Sequence, residues 1–340
     1  MTDSAINNIK PIDFQWETSD PFLFCAYHND TYPPGNDDSG PNASLQGRNI
    51  GMDFELKDGW RMYHGDRVPG FPVHPHRGFE TVTVVQQGLV DHADSMGAAG
   101  RYGGGDVQWL TTGKGVQHSE MFPLIHQDRP NHLVLFQIWL NLPAANKMVE
   151  PHFAMFWADK IPKKVLKDET GNTISVDVIA GRLDDKHAMP PPPDSWASGP
   201  DNHVAIWTIV LSANAHWVLP KALAGLNRTL YFYQGESLSI NGKGISVMHK
   251  IELQSDADVE LKNGDKECRL LMLQGKPINE PVSQYGPFVM NTHHEINQAI
   301  TDYQENQYGG WPWPSRDPVH TGSGRFARHA NGDIEEPKES

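Results

Sequence analysis

This sequence has few cysteines, no long apolar runs and no clusters of basic residues. Cys25 and Cys268 are the two cysteines among 340 residues, too few and too far apart for a disulfide framework or a thiolate zinc site. No stretch reaches the roughly 18 apolar residues of a membrane span. Residues 1–10 lack the basic and apolar regions of a signal peptide. We therefore expect a cytoplasmic protein that does not act on membranes.

The charge balance is acidic. The formal net charge is −14, and Lys and Arg form no cluster along the chain. Because phosphate backbones are bound by clustered cations, direct nucleic-acid binding is disfavoured. The acidic surface is compatible with a protein partner but indicates nothing specific about one.

Glycine and proline are abundant instead. The 31 Gly, 26 Pro and 38% hydrophobic residues favour short strands joined by tight turns over a helical bundle. Strands are predicted at residues 21–27, 81–85, 89–92, 106–109 and 133–140. One short helix is predicted after Thr292, because Glu295 completes a capping box and apolar residues follow at helical intervals. The fold class is therefore all-β with a short C-terminal helix.

Two short motifs carry the candidate chemistry: residues 74–76 (His-Pro-His) and 118–120 (His-Ser-Glu). Residues i and i+2 of a strand share one face, so each motif can aim two ligands at a common point. Three imidazoles and a carboxylate suit Fe, Mn, Ni, Cu, Co or Zn better than Ca or Mg. One divalent ion, with Fe(II) as first choice, would keep positions open for chemistry. The predicted ligands are His74, His76, His118 and Glu120.

Part of the chain looks duplicated. Residues 82–89 resemble residues 230–237 when Gly88 is laid on Gly235. On this register Lys221 and Leu223 replace His74 and His76, and a second register lays Leu270 and Met272 on His118 and Glu120. The second block would then hold no metal. The alternative is a chance similarity between two hairpins.

Longer segments around both motifs resemble the signature of the pirin family, within the cupin superfamily. They are residues 73–83 (VHPHRGFETVT), 105–109 (GDVQW), 113–121 (GKGVQHSEM), 139–143 (WLNLP) and 280–292 (EPVSQYGPFVMNT). The resemblance covers about residues 68 to 300. It implies two tandem cupin barrels of the double-stranded β-helix or jelly-roll type, with His74, His76, His118 and Glu120 binding the metal in the first barrel.

The resemblance also implies a domain plan. Residues 1–145 are expected to form the metal-binding cupin domain, with an insertion at about 29–66. Residues 146–305 are expected to form a degenerate cupin domain without metal, and residues 306–340 a partly ordered tail. The insertion and the tail depart from the family pattern. Either could shape the mouth of the site, so the substrate cannot be transferred from relatives.

One ambiguity concerns a second carboxylate. Glu80 has the strand parity of both histidines in residues 74–76 and stands where cupins in general place a glutamate ligand. The pirin pattern assigns that role to Glu120. Glu80 then supports the site or is satisfied in the core.

Pirin-like proteins are associated with two roles. The first is quercetin 2,3-dioxygenase-type activity, in which a small aromatic substrate, a flavonol or another enolisable phenolic, reacts with O2 at a mononuclear non-haem metal. Glu120 is the candidate catalytic base, and Phe79, Trp109 and Met121 are either pocket walls or ordinary barrel core. The alternative is a non-enzymatic regulatory protein, in which the redox state or occupancy of the metal alters a surface that binds a protein partner.

Overall fold

The computed structural model describes residues 5–322 and 324–338. The chain folds into two compact units. The histidine unit comprises residues 26–159 and the chain from Glu280 onward, and the apolar unit comprises the chain up to Cys25 and residues 160–279. Both units are barrels of antiparallel strands, which confirms the all-β prediction and the two cupin barrels.

The strands are numbered in chain order. The first eleven are β1 (Ile6–Pro11), β2 (Gln15–Glu17), β3 (Phe22–Tyr32), β4 (Gly70–His76), β5 (Phe79–Gln87), β6 (Leu89–Asp94), β7 (Ala99–Gly103), β8 (Val107–Thr111), β9 (Val116–Met121), β10 (Asn131–Asn141) and β11 (His152–Phe156). The next twelve are β12 (Lys163–Lys167), β13 (Thr173–Ala180), β14 (Arg182–Leu183), β15 (Lys186–His187), β16 (Ala205–Leu211), β17 (His216–Leu219), β18 (Asn227–Gln234), β19 (Leu238–Ile240), β20 (Lys243–Ile245), β21 (His249–Leu253), β22 (Val259–Asn263) and β23 (Cys268–Gly275). Then come β24 (Ser283–Tyr285), β25 (Phe288–Met290), the helix α1 (His293–Asn306), β26 (Phe326–Arg328) and β27 (Ile334–Glu335). Short 3-10 turns lie at Ala144–Asn146, Trp196–Ser198, Pro200–Asn202 and Gln307–Gly309.

Two sheets face each other in the histidine unit. Their strand orders are β11-β8-β5-β10-β3 and β27-β26-β7-β6-β9-β4. Their inner faces touch, since the Gln108 side chain of β8 reaches His92 of β6. Strand β5 is buried along most of its length, as expected for a central strand rich in β-branched residues. The turn after β5 needs glycine, because Gly88 has φ +81° and a Cβ there would lie 2.6 Å from a backbone oxygen.

The apolar unit is also built from two sheets. Their strand orders are β1-β21-β18-β23-β16-β13-β12 and β17-β22-β19-β20. The interior is filled by aliphatic and aromatic side chains, among them Trp207, Phe232, Leu270 and Met272. Burial of this apolar surface stabilises the barrel.

The compact units divide the chain differently from the predicted domain ranges. Strand β1 pairs with β21, so this strand lies in the apolar unit. The segment from Glu280 belongs to the histidine unit, where Arg77 forms a bridge to Phe288 and a 2.7 Å ion pair with Asp302. Local sequence patterns predict strands but not the long-range pairing that decides these memberships.

The helix and the tail lie in the histidine unit. Helix α1 begins after Thr292, whose hydroxyl accepts from the Glu295 backbone N–H while the Glu295 carboxylate accepts from the Thr292 backbone N–H; the predicted capping box is confirmed. Strand β26 of the expected tail pairs with β7. The tail therefore extends the sheet that carries both candidate ligand motifs.

Candidate metal centre

The pairing of β4 with β9 brings the two motifs together. His74 lies directly opposite His118 in this antiparallel pair. A register shift between Phe71 and His74 marks a bulge in β4, at a proline-containing position where a regular ladder is unfavourable. The bulge sets which face of β4 carries the histidines. His76, two residues along, shares that face.

The three imidazoles converge. His118 Nε2 lies 3.0 Å from His74 Nε2, and His76 Nε2 is buried without a hydrogen-bond partner among the described residues. One ligand nitrogen from each histidine lies within 4.8 Å of the others. Two nitrogens bound at about 2.1 Å to one ion, at right angles, are about 3.0 Å apart. The donor set therefore fits a metal ion.

Backbone carbonyls fix the tautomer of two of these rings. Nδ1 of His74 donates to the Pro72 carbonyl at 2.9 Å, and Nδ1 of His76 donates to the Pro287 carbonyl at 3.4 Å. This arrangement leaves Nε2 of each ring with its lone pair directed at the cluster. These two lone pairs are therefore available to a metal ion.

Burial keeps the imidazoles neutral. Desolvation lowers the pKa of His74 to about 4 and lowers the pKa values of His76 and His118 well below the usual range, with neighbouring histidines adding to the effect. Neutral imidazole is the metal-binding form, so protons compete weakly with a metal at neutral pH. His76 and His118 are buried, whereas His74 is partly exposed. The cluster is therefore reached from the His74 side.

Glu120 lies beside the histidine cluster. Its Oε2 is 3.7 Å from His118 Nε2 and accepts a 2.5 Å hydrogen bond from Gln137 Nε2, while Oε1 accepts from the Thr83 hydroxyl at 3.1 Å. Thr83 and Gln137 are directly opposed on β5 and β10, so they reach across from the other sheet. Burial raises the pKa of Glu120, and these two donors oppose that effect.

Several residues at the centre were missed by the sequence reasoning. His92 is not among the predicted ligands, yet it lies opposite Glu120 in the β6–β9 pair, with its ring centroid 5.5 Å from that of His118. Asp94 Oδ2 and Gln108 Nε2 hold its two ring nitrogens at 3.2 and 3.3 Å. The shared parity of His92 and Asp94 in β6 was the available signal.

Glu80 is separate from the three-histidine cluster. It is fully buried, and its Oε1 accepts a 2.7 Å hydrogen bond from the Thr111 hydroxyl. Within residues 5–322 and 324–338, the group with metal-binding geometry consists of His74, His76 and His118.

Aromatic residues surround the ligands, although not all of those expected. The Phe79 ring lies 5.1 Å from the His76 ring and stacks on Trp139 at 4.0 Å, and Trp139 is itself 5.3 Å from His76. Trp109 instead packs against Phe156 at 6.0 Å. It follows Gln108, which points inward to His92, so its side chain lies on the outer face of β8. Of the two alternatives for Trp109, pocket wall or barrel core, this contact supports barrel core.

The insertion reaches the site through a further aromatic cluster. Phe71 of β4 lies 6.3 Å from the His74 ring, and Phe54, Tyr63 and His64 pack around Phe71 at ring distances of 6.3, 5.2 and 5.6 Å. These three residues belong to the expected insertion at 29–66. The insertion therefore forms part of the surroundings of His74.

Comparison with known proteins assigns the chain to a family. Residues 8–140 match the family model described as Pirin, and residues 206–309 match the Pirin C-terminal cupin domain. The chain belongs to the pirin family. A putative quercetin 2,3-dioxygenase of Pseudomonas aeruginosa is 37% identical over 243 residues, which cover 71% of this chain and 80% of that protein. Pirin-1 of Arabidopsis thaliana is 36% identical over 242 residues, which cover 71% and 78%.

Solved structures agree with the pirin assignment. A quercetin 2,3-dioxygenase from Acinetobacter baumannii matches with a TM-score of 0.67 and 26% identity, covering 90% of this pirin and 96% of that chain. No helix among the described residues has the length and hydropathy needed to span a bilayer.

The second barrel of this pirin has an apolar counterpart of the metal centre. Strand β17 pairs with β22 and precedes β18, just as β4 pairs with β9 and precedes β5. Trp217 and Leu261, directly opposed in β17 and β22, are both buried. Apolar side chains thus occupy the opposed, buried positions of these two strands, whereas His216 and Glu260 pair with each other at 3.0 Å on more exposed positions.

The predicted residue correspondences for this second barrel were wrong. Lys221 and Leu223 lie in an exposed segment beyond the end of β17. Met272 lies opposite Leu230 in β23 and β18, as Gln137 lies opposite Thr83 in β10 and β5. The second register was therefore wrong by one strand, whereas the first placed its two residues just beyond the end of the correct strand. Loop lengths differ between the two barrels.

Proposed function

We propose that this pirin is a metal-dependent oxygenase with quercetin 2,3-dioxygenase-type activity on flavonols or related enolisable phenolics, using O2 as co-substrate. The convergence of three neutral imidazoles, one of them partly exposed, carries the proposal. The similarity to a quercetin 2,3-dioxygenase over 90% of the chain supports it. The cytoplasmic location is kept as part of the proposal, since both cysteines are free thiols.

His74, His76, His118 and Glu120 would hold one mononuclear divalent ion, with Fe(II) as the proposed metal. Mixed nitrogen and oxygen ligands also accept Mn, Co, Ni, Cu and Zn, so the metal found in a preparation depends on supply as well as affinity. When bound, the ion supplies a Lewis acid for a deprotonated substrate oxygen and a centre for dioxygen chemistry.

Glu120 is the proposed general base. Its buried carboxyl has a raised pKa, which brings its basicity closer to that of a group that takes a proton near neutral pH. Thr83 and Gln137 hold its two oxygens in place. Proton removal from an acidic enol or phenol hydroxyl would leave the substrate as an anion beside the cluster.

The proposed substrate is a planar aromatic molecule. Phe71 lies next to His74, the exposed member of the cluster, and Phe54 and His64 of the insertion pack against Phe71. Aromatic rings bind aromatic substrates through stacked and edge-to-face contacts. Because these walls come partly from the insertion, the substrate range of this pirin is expected to differ from that of relatives without it.

An oxygen electrode tests the proposal. After anaerobic reconstitution with Fe(II), quercetin and other enolisable phenolics are expected to drive oxygen uptake with release of carbon monoxide. Glu120→Ala should abolish this uptake, whereas the exposed control Glu305→Ala should leave it unchanged. If Glu120→Ala keeps its metal and full uptake, the proposed role of Glu120 is wrong. If no phenolic is consumed with any of the six metals, the oxygenase proposal fails and the regulatory alternative gains support.

A further inference from the structure

The apolar unit contains a cavity of about 960 Å³. This volume is within the range of small-molecule sites, about 300–1,000 Å³. Its lining includes Leu183, Trp207, Leu226, Arg228 and Gln274. We call it the Arg228 cavity. The metal centre does not contribute to it, since its lining residues all lie between Gly181 and Gln274.

Three buried polar groups of the Arg228 cavity lack partners among the described residues: Arg228 Nε, Gln274 Oε1 and Trp207 Nε1. Their residues are 3%, 7% and 4% exposed. Arg228 and Gln274 are directly opposed in β18 and β23, and Trp207 lies opposite Met272 in β16 and β23. All three side chains therefore share the inner face of one sheet. Buried donors and acceptors left unpaired in this way are costly.

Arg228 presents an open guanidinium edge. Its Nη1 donates to the Pro220 carbonyl at 2.8 Å, whereas Nε and Nη2 have no hydrogen-bond partner in the part of the chain that the structure describes. Burial lowers its pKa to about 10, so the group is charged at neutral pH. An Nε–Nη2 edge is the geometry with which arginine binds a carboxylate through two parallel hydrogen bonds.

The position of the Arg228 cavity in its barrel parallels that of the metal centre in the other barrel. Aligning the directly opposed pairs Leu230–Met272 and Thr83–Gln137 places Arg228 and Gln274 at the positions of Thr81 and Trp139. The Trp139 ring lies 5.3 Å from His76. The Arg228 cavity therefore lies at the end of its barrel that corresponds to the end where Trp139 approaches His76 in the other barrel.

The charges around the Arg228 cavity favour an anion. Arg182 and Lys221 line it with Arg228, and the lining carboxylate of Asp184 is paired with Lys164 at 3.3 Å. The carboxylate of Asp258, outside the lining, also acts on Arg228 and accepts from the Lys221 backbone N–H at 3.1 Å, so three cations face one nearby acidic group without a lysine or arginine ion pair. Leucines supply apolar surface beside these cations. The combination suits a small acid with an apolar body.

We propose that the Arg228 cavity binds a small carboxylate that carries a hydroxyl group, of the hydroxybenzoate class. The carboxylate pairs with the Nε–Nη2 edge of Arg228, and the ligand hydroxyl donates to Gln274 Oε1. Trp207 Nε1 donates to a ligand oxygen. Each of the three buried groups then has a partner of the correct kind.

Isothermal titration of the full-length, metal-loaded protein under nitrogen tests this site. The probes are 3,4-dihydroxybenzoate, benzoate, which lacks the hydroxyls, and catechol, which lacks the carboxylate. We expect 3,4-dihydroxybenzoate to bind more tightly than either. Arg228→Met should weaken its binding by roughly 10- to 100-fold, as expected for loss of hydrogen bonds to a charged group. The control Lys167→Met makes the same charge change on an exposed strand and should bind normally.

Gln274→Glu provides a second variant that keeps the arginine paired. The new carboxylate would lie beside Arg228, take its open edge and exclude the ligand, so binding should be lost, although the variant also loses the hydrogen bond from Gln274 Nε2 to the His203 carbonyl at 3.2 Å. Gln254→Glu, on the surface of the same unit, should bind normally. His118→Ala should also bind normally, which separates this site from the metal centre. Absence of binding by 3,4-dihydroxybenzoate, unchanged binding in Arg228→Met, or loss of binding in His118→Ala would each overturn the proposal.

Discussion

Replacing Thr83 by valine removes one hydrogen bond from Glu120 while keeping the shape of the side chain. The Thr83 hydroxyl donates to Glu120 Oε1 at 3.1 Å inside the barrel, and Thr83 is 1% exposed. Thr81 is two residues earlier on the same face of β5 and is fully buried, but its hydroxyl has no partner among the described residues. Thr81→Val is therefore a matched control that differs only in the hydrogen bond.

The expected loss of metal affinity in Thr83→Val follows from the charge on Glu120. A hydrogen bond to a charged group contributes about 1.5–3 kcal/mol, and removal of an outer partner of a metal ligand typically weakens metal binding about 10- to 100-fold. Without the Thr83 donor, Glu120 is less well oriented and its pKa rises further above its ordinary value, because burial is then less opposed. Thr83→Val should therefore bind Fe(II) or Zn(II) about 10- to 100-fold more weakly.

Competition with a coloured chelator measures this change in metal affinity. Thr81→Val should bind metal as the unaltered protein does and should be at least as stable, since it removes a buried hydroxyl with no partner. The defect in Thr83→Val should be larger at lower pH, where protons compete more strongly for Glu120. Equal metal affinity in the two valine variants would refute the assignment of Glu120 as a ligand held by Thr83.

Three further predictions concern buried charges. Burial lowers the pKa of Lys147 to about 8 from 10.5. Because the unfolded chain binds more protons than the folded chain between these pH values, the free energy of unfolding, measured with urea, should increase as the pH is raised across that interval. Burial lowers the pKa of His74 to about 4 from 6.5, so thermal unfolding of the metal-free protein should show stability falling as pH drops across that interval. Asp91→Ala leaves the buried Arg101 without its ion-pair partner and should cost about 3–5 kcal/mol in unfolding free energy, against little change for the exposed control Asp38→Ala. A stability that does not change with pH across either interval would contradict the proposed effect of burial on Lys147 or His74. Equal stability of Asp91→Ala and Asp38→Ala would contradict the proposed role of the ion pair.

The ligand motifs could be predicted because their chemistry is local. Strand parity places His74 and His76 on one face, and a strand that also carries His118 needs only to pair with theirs. The start of the helix after Thr292 could also be predicted, because a capping box is formed by residues within four consecutive positions.

The support of Glu120 could not be predicted in the same way. Thr83 and Gln137 come from the opposite sheet, and they meet Glu120 only because the barrel closes. The position of His92 could not be predicted for a similar reason: it lies opposite Glu120 through the β6–β9 register, which a turn of different length would change. Strand parity predicts which side chains share one face of a sheet, but it does not predict which residues of the other sheet pack against that face.

The contact between His76 and Pro287 has a consequence for the biosynthesis of the protein. The carbonyl that orients the His76 ring lies 211 residues further along the chain, and the backbone N–H of Val73 likewise donates to the carbonyl of Arg316. During translation, all three histidines are synthesised long before Pro287 and Arg316. A metal ion encountered before Pro287 is made would meet a His76 ring that this carbonyl does not yet orient. The complete site is therefore expected to form after the chain has been synthesised beyond Arg316.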